Sequence, residues 1–192
     1  MQLTIDTLIE GIETCKNPTC EGLDTQLAHL PEGFAGEVKN FEDAANALVR
    51  YNRAIVDALA GVVPSAKVQV AYYEMYGVPG MRAFHETIEY AKSKGLVVIA
   101  DCKRNDIGAT AGAYANAYLG ETPLGEGHDA AFPVDFVTVN AYLGIDGVKP
   151  FLEAGKVRGG GIFALVKTSN PSGGQLQDLK IGDRTVYEVM GD

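Results

Sequence analysis

Apolar, strand-forming stretches alternate with helix-patterned stretches along almost the whole chain, and this alternation limits the fold more than any other feature. "TCEGLD" (19–24) reads as a short strand. Asn40 caps a helix predicted to run to about Ala60, with Asp43 placed like the acidic member of a capping box. Phe41, Ala45, Leu48, Ile55 and Leu59 form its apolar stripe, and Gly61 ends it. "AKVQVAY" (66–72) is the next strand, followed by a helix marked by Met81, Phe84, Ile88 and Ala91 and closed by Gly95. Then come "LVVIAD" (96–101), a helix through "AGAYANAYL", "VDFVTVN" (134–140), a helix around "VKPFLEA", and "GIFALVK" (161–167). Ahead of them, Ile5, Leu8, Ile9 and Ile12 lie on one face of a short amphipathic helix.

The strand stretches are nearly continuous apolar runs, as in a parallel sheet covered on both faces. Strand–helix alternation leaves two architectures, a barrel or a doubly wound sheet. Asp24, Asp101, Asn140 and Lys167-Thr168-Ser169 fall at the C-terminal ends of predicted strands, the rim where a barrel gathers its active site. A doubly wound sheet usually carries a glycine-rich phosphate turn after its first strand, and "GLDTQL" has none. The reading is an α/β chain forming a (β/α)8 TIM barrel, of which about the first five β/α units are present, as a single domain over 1–192. A barrel takes about 250 residues. "GDRTVYEVMGD" stops in what reads as the start of a helix, so the expectation is an incomplete barrel domain.

With 46% hydrophobic and 21% charged residues, the chain has the composition of an ordinary globular domain. A net charge of −9 without any basic block argues against nucleic acid, whose phosphates are met by Lys and Arg. No apolar run is long enough to predict a membrane span, and "MQLTIDTLIEGIE" lacks the basic-then-apolar order of a signal peptide. Cys15, Cys20 and Cys102 are odd in number and match no zinc spacing, so free thiols in a cytoplasmic setting are expected.

"VVIADCKRNDIGAT" (97–110) places Asp101, Lys103 and Asp106 within six residues at the end of a buried strand. Strand side chains alternate, which puts Asp101 and Lys103 on one face and Cys102 on the other. Asp106 lies past the strand, free to fold back or to reach a neighbouring subunit. Lys67 on the preceding strand offers a second ammonium group, giving an array alternating in sign: Lys67, Asp101, Lys103, Asp106. Pairing is what makes partial burial of such charges tolerable. A rim network of salt bridges without chemistry explains the same spacing equally well. His29, His85 and His128 are scattered without metal-ligand spacing, and Ser169 lacks a nucleophile-elbow context. The Tyr72-Tyr73 pair reads as core and rim packing.

"DCKRNDIGAT" resembles the D-x-K-x-x-D-I-x-x-T signature of the orotidine 5′-phosphate decarboxylase family. "GLDTQL" is similar to that family's first-strand Asp motif, and "AKVQVAYYEMYG" to its second-strand Lys motif. "TVNAYLGIDGVKPF" and "LVKTSNPSGGQLQDL" are similar to the fourth- and fifth-strand blocks of its longer bacterial subgroup. The resemblance implies a homodimeric (β/α)8 barrel that converts orotidine 5′-phosphate to UMP and CO2 in pyrimidine synthesis, with no cofactor. It implies Lys103 as proton donor, with Lys67, Asp101 and Asp106 completing the charged array and Asp106 supplied across the dimer interface. Asp24 and Lys67 would contact the ribose, Thr110 the neighbouring subunit's substrate, and Ser169 the pyrimidine. The family's phosphate-gripping loop and arginine find no counterpart here; they would lie beyond Asp192, which implies either a fragment or a protein that has lost substrate phosphate binding. Three other readings stay open: a metal-dependent sugar-phosphate decarboxylase or aldolase reusing D-x-K-x-x-D around Mg²⁺, a Schiff-base aldolase with Lys103 or Lys167 as nucleophile, and a non-catalytic fragment.

Overall fold

A computed structural model of the chain describes residues 2–192. In chain order the helices are α1 (Thr4–Cys15), α2 (Phe41–Leu59), α3 (Ala71–Glu74), α4 (Gly77–Ser93), α5 (Gly108–Tyr118), α6 (Ile145–Arg158), α7 (Gly174–Gln177) and α8 (Val186–Met190). The strands are β1 (Cys20–Leu23), β2 (Ser65–Gln69), β3 (Val97–Arg104), β4 (Thr122–Leu124), β5 (Gly127–Asp129), β6 (Phe136–Asn140), β7 (Gly161–Leu165), β8 (Lys180–Ile181) and β9 (Arg184–Thr185). β1, β2, β3, β6 and β7 pair in that order into one sheet, every pair parallel. β4–β5 and β8–β9 are small antiparallel hairpins outside it, which the sequence pattern did not announce.

Two features make this sheet a barrel wall. Its order runs without reversal, so it has no switch point of the doubly wound kind. The long helices also pack on a single face: Leu48 and Val56 of α2, Phe84 and Ile88 of α4, Ala115 and Tyr118 of α5, and Phe151 of α6 join one buried cluster. From the strands that cluster receives Leu23, Ala66, Val68, Val98, Ala100, Val137 and Val139. These outward residues alternate with inward ones, as pleating requires. Full burial of side chains such as Tyr73, Phe84 and Phe151 contributes about 1.5–3 kcal/mol each, so the sheet–helix interface carries most of the fold.

The opposite, inner face is apolar at its base and polar at its rim. Val97, Ile99 and Phe136 cluster there with Leu8, which α1 brings across the N-terminal end of the strands. The stripe predicted for α1 is only half used, because Ile5 and Ile9 remain 44% and 48% exposed. Further along, Phe163 of β7 stacks at a tilt on Phe136 yet stays 44% exposed. The near-continuous apolar runs predicted cover on both faces, but at β7 the inner face is open among the described residues.

Three local expectations need correction. The stretch 66–72 does not continue as a strand: β2 ends at Gln69, Val70 turns to αR (φ −60, ψ −32), and α3 follows at once. Tyr72 and Tyr73 therefore sit on a helical turn, with Tyr73 fully buried under α4. Gly80 of α4 permits this crossing, since a Cβ there would lie 1.9 Å from the Tyr73 carbonyl oxygen. At α2, Asn40 caps as predicted by accepting from the Asp43 N–H at 2.9 Å. The return bond differs: Asp43 accepts from the Lys39 N–H, one residue before the cap. Phe41 is not on the buried stripe; it is 59% exposed and meets Tyr76 edge-on.

Candidate active site

At the C-terminal ends of the strands the inner face carries charge. Asp101 of β3 is buried, and each of its carboxylate oxygens accepts two hydrogen bonds. Oδ1 receives the Lys103 ammonium at 2.6 Å and the Thr138 hydroxyl at 2.9 Å. Oδ2 receives the Lys67 ammonium at 3.0 Å and the Gln69 amide at 2.9 Å. An ionised carboxylate offers about four lone-pair sites, so this one is saturated. Lys67 reaches on to Asp24 at 3.3 Å, just past β1. The chain of charges is therefore Asp24, Lys67, Asp101, Lys103.

Electrostatics agrees with the geometry. Burial is the strongest single influence on Asp101 and pushes its pKa up, but the bonds from Lys103, Lys67 and Thr138 together outweigh it and hold the carboxyl below its usual 3.8. For Lys67, burial pulls the pKa down, and Asp101 with Asp24 more than reverses this, leaving it above the usual 10.5. Because the folded-state pKa of Asp101 is depressed, its contribution to stability is present above about pH 3.8 and is lost as pH falls through the folded-state value. We expect the stability difference between wild type and Asp101→Asn, followed by denaturant unfolding, to be constant above about pH 5 and to shrink below about pH 4. A difference unchanged down to about pH 2 would show that Asp101 is not held ionised.

Lys103 reaches Asp101 by an irregular route. Strand alternation does send Cys102 outward into the helix-facing core, where burial chiefly pushes its thiol pKa up to about 11. Lys103, however, is in the left-handed region with φ 46. The β3–β6 register moves from Ala100↔Val137 to Arg104↔Val139, so β3 carries two extra residues there. A non-glycine residue in that region costs about 1–3 kcal/mol and persists only where its surroundings enforce it. The lysine side chain remains 46% exposed, so the ammonium is paired yet open to solvent.

Asp106, expected as the fourth member and supplied from a neighbouring subunit, does not join the array of its own chain. Its carboxylate accepts from the N–H of the next residue, Ile107, at 2.8 Å, and among the described residues it pairs with neither lysine. Asp24 takes the outer position instead. Thr110, on the first turn of α5, is exposed and makes no bond to the array. Ser169 is exposed in the loop after β7, whose neighbours Thr168 and Gln177 hold each other. Lys167 is paired with Asp178 and lies over the Tyr187 ring. Asn140 caps the turn Ala141–Leu143 by accepting from the Tyr142 N–H.

Sequence reasoning missed the roles of Gln69 and Thr138. The two-residue strand period was the available signal: it places Gln69 on the face of Lys67, and Thr138 on the face of Phe136 and Asn140. Among the described residues no three His, Cys, Asp or Glu side chains gather to hold a metal ion. No described helix is long and apolar enough to cross a membrane.

The family profile described as orotidine 5′-phosphate decarboxylase / HUMPS matches residues 39–191. A curated relative named orotidine 5′-phosphate decarboxylase, from Caldicellulosiruptor saccharolyticus, is 42% identical over 97% of this chain and 63% of its own length. One of the same name from Rhodopirellula baltica is 45% identical over 91% of this chain and 57% of its own. A crystal structure from Streptomyces avermitilis superposes with a TM-score of 0.82 at 31% identity, covering 99% of this chain and 62% of that one. The Leishmania donovani OMP decarboxylase structure gives 0.76 at 27% identity, covering 98% and 63%. The chain thus spans about three-fifths of the length of these relatives, and its five-stranded sheet is part of a TIM barrel. Profile, relatives and rim geometry lead to one assignment: this chain belongs to the orotidine 5′-phosphate decarboxylase / HUMPS family.

Proposed function

We propose that the site serves cofactor-independent decarboxylation of orotidine 5′-phosphate to UMP and CO2, with Lys103 as the proton donor. The observation that carries this reading is the saturated Asp101 with an open, paired ammonium beside it. In the reaction the bond from pyrimidine C6 to the carboxylate breaks and its electron pair stays on C6. No ring position delocalises that charge, so the protein must stabilise it electrostatically. Lys103 supplies a positive charge already in place, then transfers a proton from Nζ to C6; solvent reprotonates the amine. Asp101 cannot accept a further hydrogen bond, so it orients both lysines and repels the substrate carboxylate until CO2 departs. Asp24 and Lys67 would hold the ribose, and Ser169 would reach the pyrimidine from the loop after β7. Asp101 also has no lone pair left for a cation, which favours this reading over the Mg²⁺-dependent one.

A chimera tests it, with these 192 residues replacing the matching part of the Caldicellulosiruptor saccharolyticus relative. UMP formation from orotidine 5′-phosphate, unaffected by chelator, is the expected result. Absence of turnover in a folded chimera, or loss of turnover with chelator, would overturn the reading.

The same reading makes the working unit a homodimer in the cytosol, where free thiols such as Cys15, Cys20 and Cys102 are the norm. Asp106 and Thr110 would then act on the neighbouring subunit's substrate. Exposed apolar side chains beside Asp106 support this: Ile107, Tyr142, Leu143 and Ile145 are 45–66% exposed on adjoining loops and the start of α6. Gly147 of α6 allows the close approach, with its Cβ position 3.2 Å from the Asp106 carbonyl. Mixing inactive Lys103→Ala and Asp106→Ala chimeras should therefore restore about a quarter of wild-type activity, because half the dimers are mixed and each has one intact site. No recovery on mixing would place Asp106 outside the partner's site.

A further inference from the structure

We infer that the Thr138 hydroxyl is the positioning element that holds Lys103 in its left-handed bulge and aims its ammonium at Asp101. The inference rests on the proposed role of Lys103, but it concerns a residue that neither touches the reacting carbon nor carries charge.

The ladder explains why something must do this. Two extra residues of β3 lie between the pairs Ala100↔Val137 and Arg104↔Val139, so the N–H groups of Cys102 and Lys103 lose their places in the regular strand pairing. Buried backbone N–H groups need partners. Both find the same one: Thr138 Oγ1 accepts from the Cys102 N–H at 3.0 Å and from the Lys103 N–H at 2.9 Å. A hydroxyl has two acceptor sites and one proton. With both acceptor sites occupied, the proton must point elsewhere, and it points to Asp101 Oδ1 at 2.9 Å. That same oxygen receives the Lys103 ammonium.

One buried hydroxyl, 8% exposed as a residue, thus fixes both ends of Lys103. It ties down the backbone that gives the side chain its direction, and it orients the carboxylate that receives the ammonium. Valine matches threonine in shape but offers none of the three bonds. Serine keeps all three and drops only a methyl group.

The test compares Thr138→Val and Thr138→Ser in the chimera described above, with Thr138→Ala as the second hydroxyl-free variant should the valine protein not fold. Amide hydrogen exchange at Cys102 and Lys103 should quicken by about tenfold or more in the valine variant and stay within about twofold of wild type in the serine variant. Competitive acetylation of Lys103, read by mass spectrometry against Lys92 as internal reference, should rise at least about threefold in the hydroxyl-free variants only, because the side chain is no longer held against the buried Asp101 carboxylate. General loosening would raise exchange throughout β3 and would not be rescued by serine. Unchanged exchange and acetylation in the hydroxyl-free variants, or a serine variant as perturbed as valine, would overturn the inference. These readouts do not depend on turnover. Should Lys103 prove dispensable for UMP formation, the functional reading fails while this comparison still decides what Thr138 does.

Discussion

Lys103→Ala should lower UMP formation in the chimera by about a thousandfold or more while leaving its melting temperature within a few degrees of wild type. The activity term is large because in the proposed reaction the ammonium would act twice, first stabilising charge at C6 and then delivering the proton. Enzymes commonly lower barriers by about 8–23 kcal/mol, and one oxyanion-type donor is worth about 3–4 kcal/mol. Lys103 therefore cannot supply everything, and remote contacts to the ribose must contribute as well. The stability term is small because the Lys103 side chain is 46% exposed, and ion pairs at that exposure contribute about 1 kcal/mol or less. Asp101 also keeps three of its four donors. Lys103→Arg retains a positive charge but holds its proton too tightly to serve as a donor, so it should be nearly as slow. Activity within tenfold of wild type in the alanine variant would remove Lys103 from the donor role.

What could be read from the sequence is what local chemistry determines. The helix from Phe41 to Leu59 was legible because its cap, its stripe and its terminal glycine all lie within one stretch. Asp24, Lys67, Asp101 and Lys103 were legible because full charges at the ends of apolar strands are conspicuous. What escaped depends on pairing between distant segments. Thr138 looks like any β-branched strand residue until the β3–β6 register brings it opposite the bulge, 37 positions from Asp101. Lys103's positive φ follows from the same pairing and has no glycine to announce it. Strand alternation therefore placed Cys102 correctly but gave the wrong route for Lys103. The turn at Val70 was hidden because Val and Tyr favour strands, whereas burial of Tyr73 beneath α4 decides the conformation. Asp106 shows the limit most plainly, since the role proposed for it needs a second subunit, and one chain carries no such contact.

A polypeptide of these 192 residues alone should associate beyond a dimer at micromolar concentration and show little or no decarboxylase activity. The reason lies on the inner face of the sheet. In a closed barrel the inward side chains pack against one another and no strand edge is free. Here β1 and β7 are the two outer strands of the five-stranded sheet, each paired on one side only. Unpaired N–H and C=O groups on such edges recruit other strands. Beside the β7 edge, Phe163 is 44% exposed and Val166 38%; at the base of the strands, Ile5 and Ile9 of α1 add 44% and 48%. These exposed apolar side chains and open edges favour contact between chains over isolated chains in water. Activity suffers for a related reason: Lys67 stands on β2 and Asp24 just past the end of β1, and their separation depends on a sheet that is unsupported at the β1 edge. Sedimentation velocity, thermal unfolding and UMP formation on the 192-residue polypeptide form the test. In the chimera, where the relative's remaining segment is present, association should fall back to the dimer and activity should appear. A stable, monomeric and fully active 192-residue polypeptide would mean that the inner face needs no cover, and the sheet would then have to be something other than part of a barrel wall.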